Sequence, residues 1–235
     1  MNAAATTRVD WNETGDAGQW ATAAANEIAN TLNHALAKQK RAQLLLSGGT
    51  TPAPVYERLA YIDLDWPRVD VGLVDERWLA ADDPNRNTLL VREHLLRGCA
   101  ADARFQAFDG DALEGAVADA NLREARADIV VLGMGGDGHT ASLFPGMRGL
   151  AEALASPQPY VAVDASGCPG AGAWPRRISL TPAGLAPASA RLLLIRGEDK
   201  RALLQRALAG DDALELPVRI AFTTPGARLR VHWCP

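Results

Sequence analysis

Cysteine is scarce in this chain: Cys99, Cys168 and Cys234 are three in number, far apart, and without C-x-x-C spacing. That argues against both a disulfide framework and a cysteine-rich zinc site, so a reducing compartment is expected. Positive charge is also in short supply, with a formal net charge of -4. A chain without a broad positive field is not expected to bind nucleic acid, and any site for an anion must be local. No stretch approaches the roughly 18 consecutive apolar residues of a membrane span. The opening residues MNAAATTRVDWNETGD hold no apolar signal-peptide core. The expectation is a cytoplasmic protein with no membrane partner. No serine or cysteine sits in a G-x-S-x-G elbow, so a covalent acyl-enzyme has no evident nucleophile, and no cluster has the spacing of metal ligands.

What is present is a chain of 235 residues, 48% hydrophobic and 22% charged, which suits one domain over residues 1–235 with a sizeable core. Between Ala17 and Lys38, Trp20, Ala24, Ile28, Leu32, Ala35 and Leu36 recur with a helical period, and Asp16 and Gln19 stand like a capping box. The apolar run from Gln43 to Leu46 reads as a buried strand that breaks into a tight loop. Thr51 is placed to cap the next helix, with Pro52 in its first turn, through about Ala60. Val69 to Val74 is a second strand, followed by a polar loop and a helix from about Asn87 to Leu96. A helix near Leu113 to Ala125 leads into an apolar strand at Ile129 to Leu132. Tyr160 to Val163, Arg177 to Leu180 and Arg191 to Ile195 are further strands, Ser166 to Pro175 is a loop, and Asp199 to Ala209 is a helix closed by Gly210. This alternation implies an α/β fold, mainly parallel, with helices on both faces of the sheet, because parallel neighbours need crossover connections.

In open parallel sheets, ligands bind outside the carboxyl ends of strands, and three polar clusters fall there. Ser47-Gly48-Gly49-Thr50-Thr51-Pro52 reads as a phosphate cradle of backbone N–H groups, hydroxyls and a helix N-terminus, or as a plain strand-to-helix turn. It is no Walker A loop, since no G-K-[ST] follows. Asp75-Glu76-Arg77-Trp78 places an arginine after a buried strand, where its fork could hold a phosphate bidentately, or where it could be a solvated loop residue. The segment Gly133 to Gly146 begins as G-x-G-x-x-G, but Pro145 and Gly146 would interrupt a crossover helix within its first turns, which argues against a dinucleotide site. Four glycines in six positions suggest backbone folded around a ligand, presenting Asp137 and His139 together. Imidazole, with an ordinary pKa of about 6.5, can take a proton from water near neutrality. Asp137 could orient that ring, or stabilise the turn. Of the other histidines, His34 and His94 lie in helical patterns and read as surface residues.

The segments LSGGTTPAPVYERLA, VDERWLAADDPNRNTLLVREHLL, DIVVLGMGGDGHTASLFPG and RISLT, in this order, closely resemble the 6-phosphogluconolactonase family from about Ala17 to Pro217. The resemblance implies a Rossmann-like three-layer fold, shared with amino-sugar phosphate deaminases, and cofactor-free hydrolysis of 6-phosphogluconolactone, a small sugar-phosphate lactone. It implies His139 as general base with Asp137 beside it, Ser47, Gly48, Gly49 and Thr50 at the phosphate end, and Arg77 on the substrate. It also points to Arg177 facing the site, with Ser179 replacing a usual threonine, and to Lys200 as a phosphate ligand or a solvated residue. Backbone N–H groups of the Gly133 to Gly138 loop, those of Gly135, Gly136 and Gly138 among them, are candidate oxyanion donors. This chain departs from the family at Arg86-Asn87, where Ser-Asn is common, so Arg86 could pair with substrate or face solvent. Two rivals remain: an amino-sugar phosphate isomerase-deaminase, whose family motif DGHIAFNEP carries a glutamate that Asp137 to Pro145 lacks, and a non-catalytic sugar-phosphate sensor, which would need neither His139 nor Asp137. Monomer and homodimer are equally open.

Overall fold

A computed structural model describes residues 9–123 and 126–235. Ten strands run in chain order as β1 (Val9–Glu13), β2 (Ala42–Leu46), β3 (Val69–Leu73), β4 (Asp75–Arg77), β5 (Arg104–Gln106), β6 (Ile129–Leu132), β7 (Tyr160–Asp164), β8 (Arg176–Leu180), β9 (Ala190–Arg196) and β10 (Leu229–Cys234). The helices are α1 (Ala17–Leu36), α2 (Ala53–Leu59), α3 (Asn87–His94), α4 (Leu113–Leu122), α5 (Leu150–Ala155), α6 (Pro182–Leu185), α7 (Glu198–Leu208) and α8 (Ile220–Thr223). Seven strands form one sheet in the order β1-β10-β9-β6-β2-β3-β5, every neighbouring pair parallel. The central strands are buried except at half-buried Gln43 of β2 and exposed Arg196 at the end of β9, which is why they read as apolar runs rather than as alternation.

After β2 the chain winds outward through β3 to β5, then returns to lay β6 on the opposite side of β2. The reversal puts the ends of β2 and β6 side by side at the switch point, where a crevice opens in a parallel sheet. Ser47, the first residue beyond β2, donates its N–H to Val131 O at 3.0 Å and fixes that juxtaposition.

The α1 stripe is buried as its periodicity requires, and Asp16 caps it, Oδ1 accepting from Gly18 N at 2.7 Å and Gln19 N at 2.9 Å. Thr51 does not cap α2; Pro52 takes the cap position with no side-chain bond, and Thr51 lines the cavity described below. The helix expected to reach Ala125 ends at Leu122, where Arg123 turns to extended backbone, and Ala125 lies outside the described residues.

The expected parallel pairing fails for two strands. β7 and β8 pair antiparallel with each other, and β8 pairs antiparallel with β4, making a separate three-stranded sheet. The chain between β7 and β8 contains no crossover helix, and antiparallel neighbours need none. The Asp75-Glu76-Arg77 segment expected as loop is therefore a strand. Three strands of the main sheet escaped the sequence reading: β1 and β10 at one end, the latter inserted beside β9, and the three-residue β5 at the other edge.

Candidate active site

The turn after β2, the β4 strand, the loop after β6, and β8 enclose one cavity of about 250 Å³. Ser47, Gly48, Gly49, Thr50, Arg77, Gly135, His139, Arg177 and Lys200 all line it. Gly136 and Gly138 do not.

The SGGT turn is held by its neighbours. Tyr56 Oη donates to Ser47 O at 2.7 Å. A Cβ on Gly48 would lie 1.9 Å from Asn87 Oδ1, and Gly49 has φ of +90°, a conformation that favours glycine. Ser47 Oγ is buried without a protein partner, and among the described residues the backbone N–H groups of Gly48, Gly49 and Thr50 meet no backbone acceptor. Buried polar groups are normally satisfied, so the unpartnered Ser47 Oγ, followed by the N–H groups of half-buried Gly48 and exposed Gly49 and Thr50, is what an oxyanionic ligand would complete.

His139 Nδ1 lies 2.6 Å from Asp137 Oδ1, which also accepts the His139 backbone N–H at 3.1 Å. With Nδ1–H donating to the carboxylate, Nε2 is left as an acceptor. Phe144, fully buried, supports the imidazole with ring centroids 4.3 Å apart. The two side chains remain 23% and 33% exposed, so the pair is reachable from solvent. Burial raises the Asp137 carboxyl, but the hydrogen bond and charge of His139 outweigh it and hold the group below its ordinary 3.8. Since the folded value is depressed, the stability contributed by the pair is present above about pH 3.8 and is lost as pH falls through the folded value.

The glycines of this loop make room for the protein's own side chains. A Cβ on Gly135 would fall 2.1 Å from His139 Nδ1, and one on Gly170, in the loop between β7 and β8, would fall 2.2 Å from Asp137 Oδ2. Gly170→Ala therefore displaces the carboxylate from the imidazole. The expected outcome is a fall in turnover of about tenfold with substrate affinity little changed, read by steady-state kinetics. The expectation that this loop supplies oxyanion donors needs correction at two positions: Gly135 N donates to His139 O at 2.9 Å and Gly138 N to Gly135 O at 3.2 Å.

The three cations expected at the site from the sequence are already engaged. Arg77 Nη1 donates to Asn85 O at 2.7 Å while its guanidinium lies over Trp174, 4.8 Å from the ring centroid. Arg177 donates to Trp174 O and Ala171 O, both at 2.8 Å, and burial works against its charge, with Asp75 opposing that effect. Lys200 Nζ donates to Met134 O at 2.8 Å, and burial lowers it from its ordinary 10.5. Arg86 neither faces solvent nor reaches the cavity: it is buried, donates to Phe108 O at 2.7 Å, and lies 3.6 Å from Glu76.

Several residues at the site escaped the sequence reading. Asp75 lines the cavity and accepts from Ser142 Oγ at 2.6 Å. Asn87 donates to Asp75 O at 2.8 Å. Glu76, fully buried, accepts from the backbone N–H groups of Arg77, Asn87 and Thr88 at 2.8, 2.7 and 2.8 Å, tying β4 to the start of α3. A carboxylate directly after a buried strand was visible in sequence; its backbone partners eleven and twelve residues on were not.

A protein-family profile described as Glucosamine-6-phosphate isomerases/6-phosphogluconolactonase matches residues 15–233. The chain is 53% identical over 221 residues to a 6-phosphogluconolactonase of Xylella fastidiosa strain Temecula1, covering 92% of each chain. It is 43% identical to a 6-phosphogluconolactonase of Pseudomonas aeruginosa, over 94% of this chain and 93% of that one. Among solved structures, a 6-phosphogluconolactonase from Shewanella baltica superposes with a TM-score of 0.90 at 30% identity, covering 97% of this chain and 99% of the other.

Proposed function

The chain belongs to the family of glucosamine-6-phosphate isomerases and 6-phosphogluconolactonases, and on that premise we propose that it hydrolyses 6-phosphogluconolactone to 6-phosphogluconate with His139 as general base. The observation that carries the assignment of roles is that the SGGT turn and the Asp137-oriented imidazole open onto one cavity. In this reading Ser47 Oγ and the N–H groups of Gly48, Gly49 and Thr50 receive the phosphate. Arg77, Arg177 and Lys200 supply positive charge around it, although each is also tied to a backbone carbonyl.

With the phosphate fixed, the lactone carbonyl reaches the His139 end. Nε2 takes a proton from water as the oxygen attacks the carbonyl carbon. The tetrahedral intermediate collapses with cleavage of the ring C–O bond, and His139 returns the proton to the departing alkoxide. Asp137 holds Nδ1 protonated, so that Nε2 remains the base, and steadies the imidazolium that forms. Asp137→Asn offers an amide that can donate to Nδ1 and reverse the tautomer. Turnover is expected to fall roughly 10- to 100-fold, less than on loss of the ring itself, with KM near the native value.

Against the deaminase alternative, Phe144 stands where that family's motif carries its glutamate, and its buried ring packs against the imidazole and the Arg177 guanidinium. Lactone hydrolysis measured by acid release, corrected for the spontaneous reaction, tests the proposal, and ammonia release from glucosamine 6-phosphate tests the rival. Turnover of the lactone without ammonia release supports hydrolysis; ammonia without lactonase activity overturns it. Cytoplasmic location accords with a substrate of this kind, and no described helix is long and apolar enough to cross a membrane.

A further inference from the structure

Arg196, exposed at the end of β9, lines the cavity beside β6, the strand whose loop carries the imidazole, and nothing in the lactonase reading so far gives it a role. It differs from the other cations of the lining. Arg77, Arg177 and Lys200 each donate to a backbone carbonyl, whereas among the described residues Arg196 has neither a hydrogen-bond acceptor nor a carboxylate partner. Its guanidinium is nonetheless placed, with its centre 5.8 Å from the ring centroid of the fully buried Trp20. Trp20 belongs to α1, which packs on α2, and α2 begins at the SGGTTP turn. The support of Arg196 is thus the same helix pair that supports the phosphate end.

We propose that Arg196 selects the phosphorylated substrate, closing over the phosphate from the cavity mouth as a bidentate donor; this rests on the lactonase reading. A phosphate monoester carries about -1.5 to -2 charges near neutrality and offers three acceptor oxygens. The SGGT turn supplies neutral donors to one side of it, and the engaged cations supply charge without a full complement of donors. An arginine whose fork is unoccupied adds two parallel charge-assisted hydrogen bonds that a lysine cannot reproduce. Because the phosphate is remote from the bond that breaks, the contact is made equally in ground and transition states, so it acts on KM and leaves kcat alone.

The test compares native protein with Arg196→Met and Arg196→Lys on 6-phosphogluconolactone and on the same lactone without phosphate, glucono-1,5-lactone. Arg196→Met is expected to raise KM for the phosphorylated lactone roughly 10- to 100-fold at unchanged kcat, while kcat/KM for the unphosphorylated lactone stays within about twofold. Arg196→Lys should recover only part of the loss. Inorganic phosphate, used as a competitive inhibitor, should weaken in parallel with the KM of Arg196→Met. A KM within about twofold of native, or equal losses on both lactones, overturns the role of Arg196. Native protein inactive on the phosphorylated lactone would instead overturn the lactonase reading on which it rests.

Discussion

His139→Asn is expected to lower kcat for 6-phosphogluconolactone by about 10²- to 10⁴-fold, the range that general-base assistance supplies, while KM stays near native. Asparagine keeps a planar polar group beside Asp137 and leaves the Phe144 face covered, so the cavity keeps its shape. What it removes is Nε2, the acceptor for the water proton. In the proposed reading the phosphate is held at the SGGT turn, outside the changed group, and that separation is why binding should survive. Steady-state kinetics over the spontaneous background measures both parameters. A variant with near-native kcat would remove His139 from the chemistry, and one with a large rise in KM alone would make it a binding residue.

The largest expected effect on stability is that of Glu76→Ala. One buried carboxylate accepts three backbone N–H groups and lies 3.6 Å from the buried Arg86. Removing it strands all of these donors at once, and breaking a buried charged network of this kind costs about 3–5 kcal/mol. For a chain of this length each kcal/mol shifts Tm by about 2–4 °C, so thermal denaturation should report a loss of roughly 6–20 °C. Burial itself pushes the Glu76 carboxyl above its ordinary 4.5 despite the three donors. With the folded value raised, the native state holds a proton that the unfolded chain releases. The contribution of this group to stability therefore falls as pH rises from about 4.5 through the folded value, a dependence that Glu76→Gln lacks. A Tm within a degree or two of native for Glu76→Ala would show that the β4–α3 junction is held by other contacts.

Much of the fold was legible where burial is symmetrical. Leu44-Leu45-Leu46 and Ile129 to Leu132 are covered on both sides, so they appear as apolar runs ending in polar loops, and the sheet switch point brings those loops together. β10 was not legible because Arg230 and His232 interrupt it. Both are partnered by Glu27 of α1, Arg230 as an ion pair at 2.7 Å and His232 through Nε2 at 2.6 Å from a carboxylate 205 residues away in sequence. β4 was hidden for a related reason: its partners on β8 are about a hundred residues distant, and three residues are too few to show a period.

At the site, the sequence pointed to His139, Asp137 and the SGGT turn, because a glycine-rich loop after a buried strand makes functional chemistry visible. It could not say what the glycines accommodate. Gly48, Gly135 and Gly170 yield space to Asn87, His139 and Asp137, side chains of the protein itself. Nor could it show that Arg77, Arg177 and Lys200 are engaged by backbone carbonyls while Arg196 is not, since the acceptors of Arg77 and Arg177 depend on how nearby loops fold back and that of Lys200 lies 66 residues away.

The most direct measurement of the central claim is a crystal structure of the protein with 6-phosphogluconate bound. The phosphate oxygens are expected within about 3 Å of Ser47 Oγ and the Gly48 to Thr50 backbone N–H groups, with the C1 carboxylate toward His139 Nε2. A product lying the other way round, phosphate against His139 and C1 at the turn after β2, would contradict it.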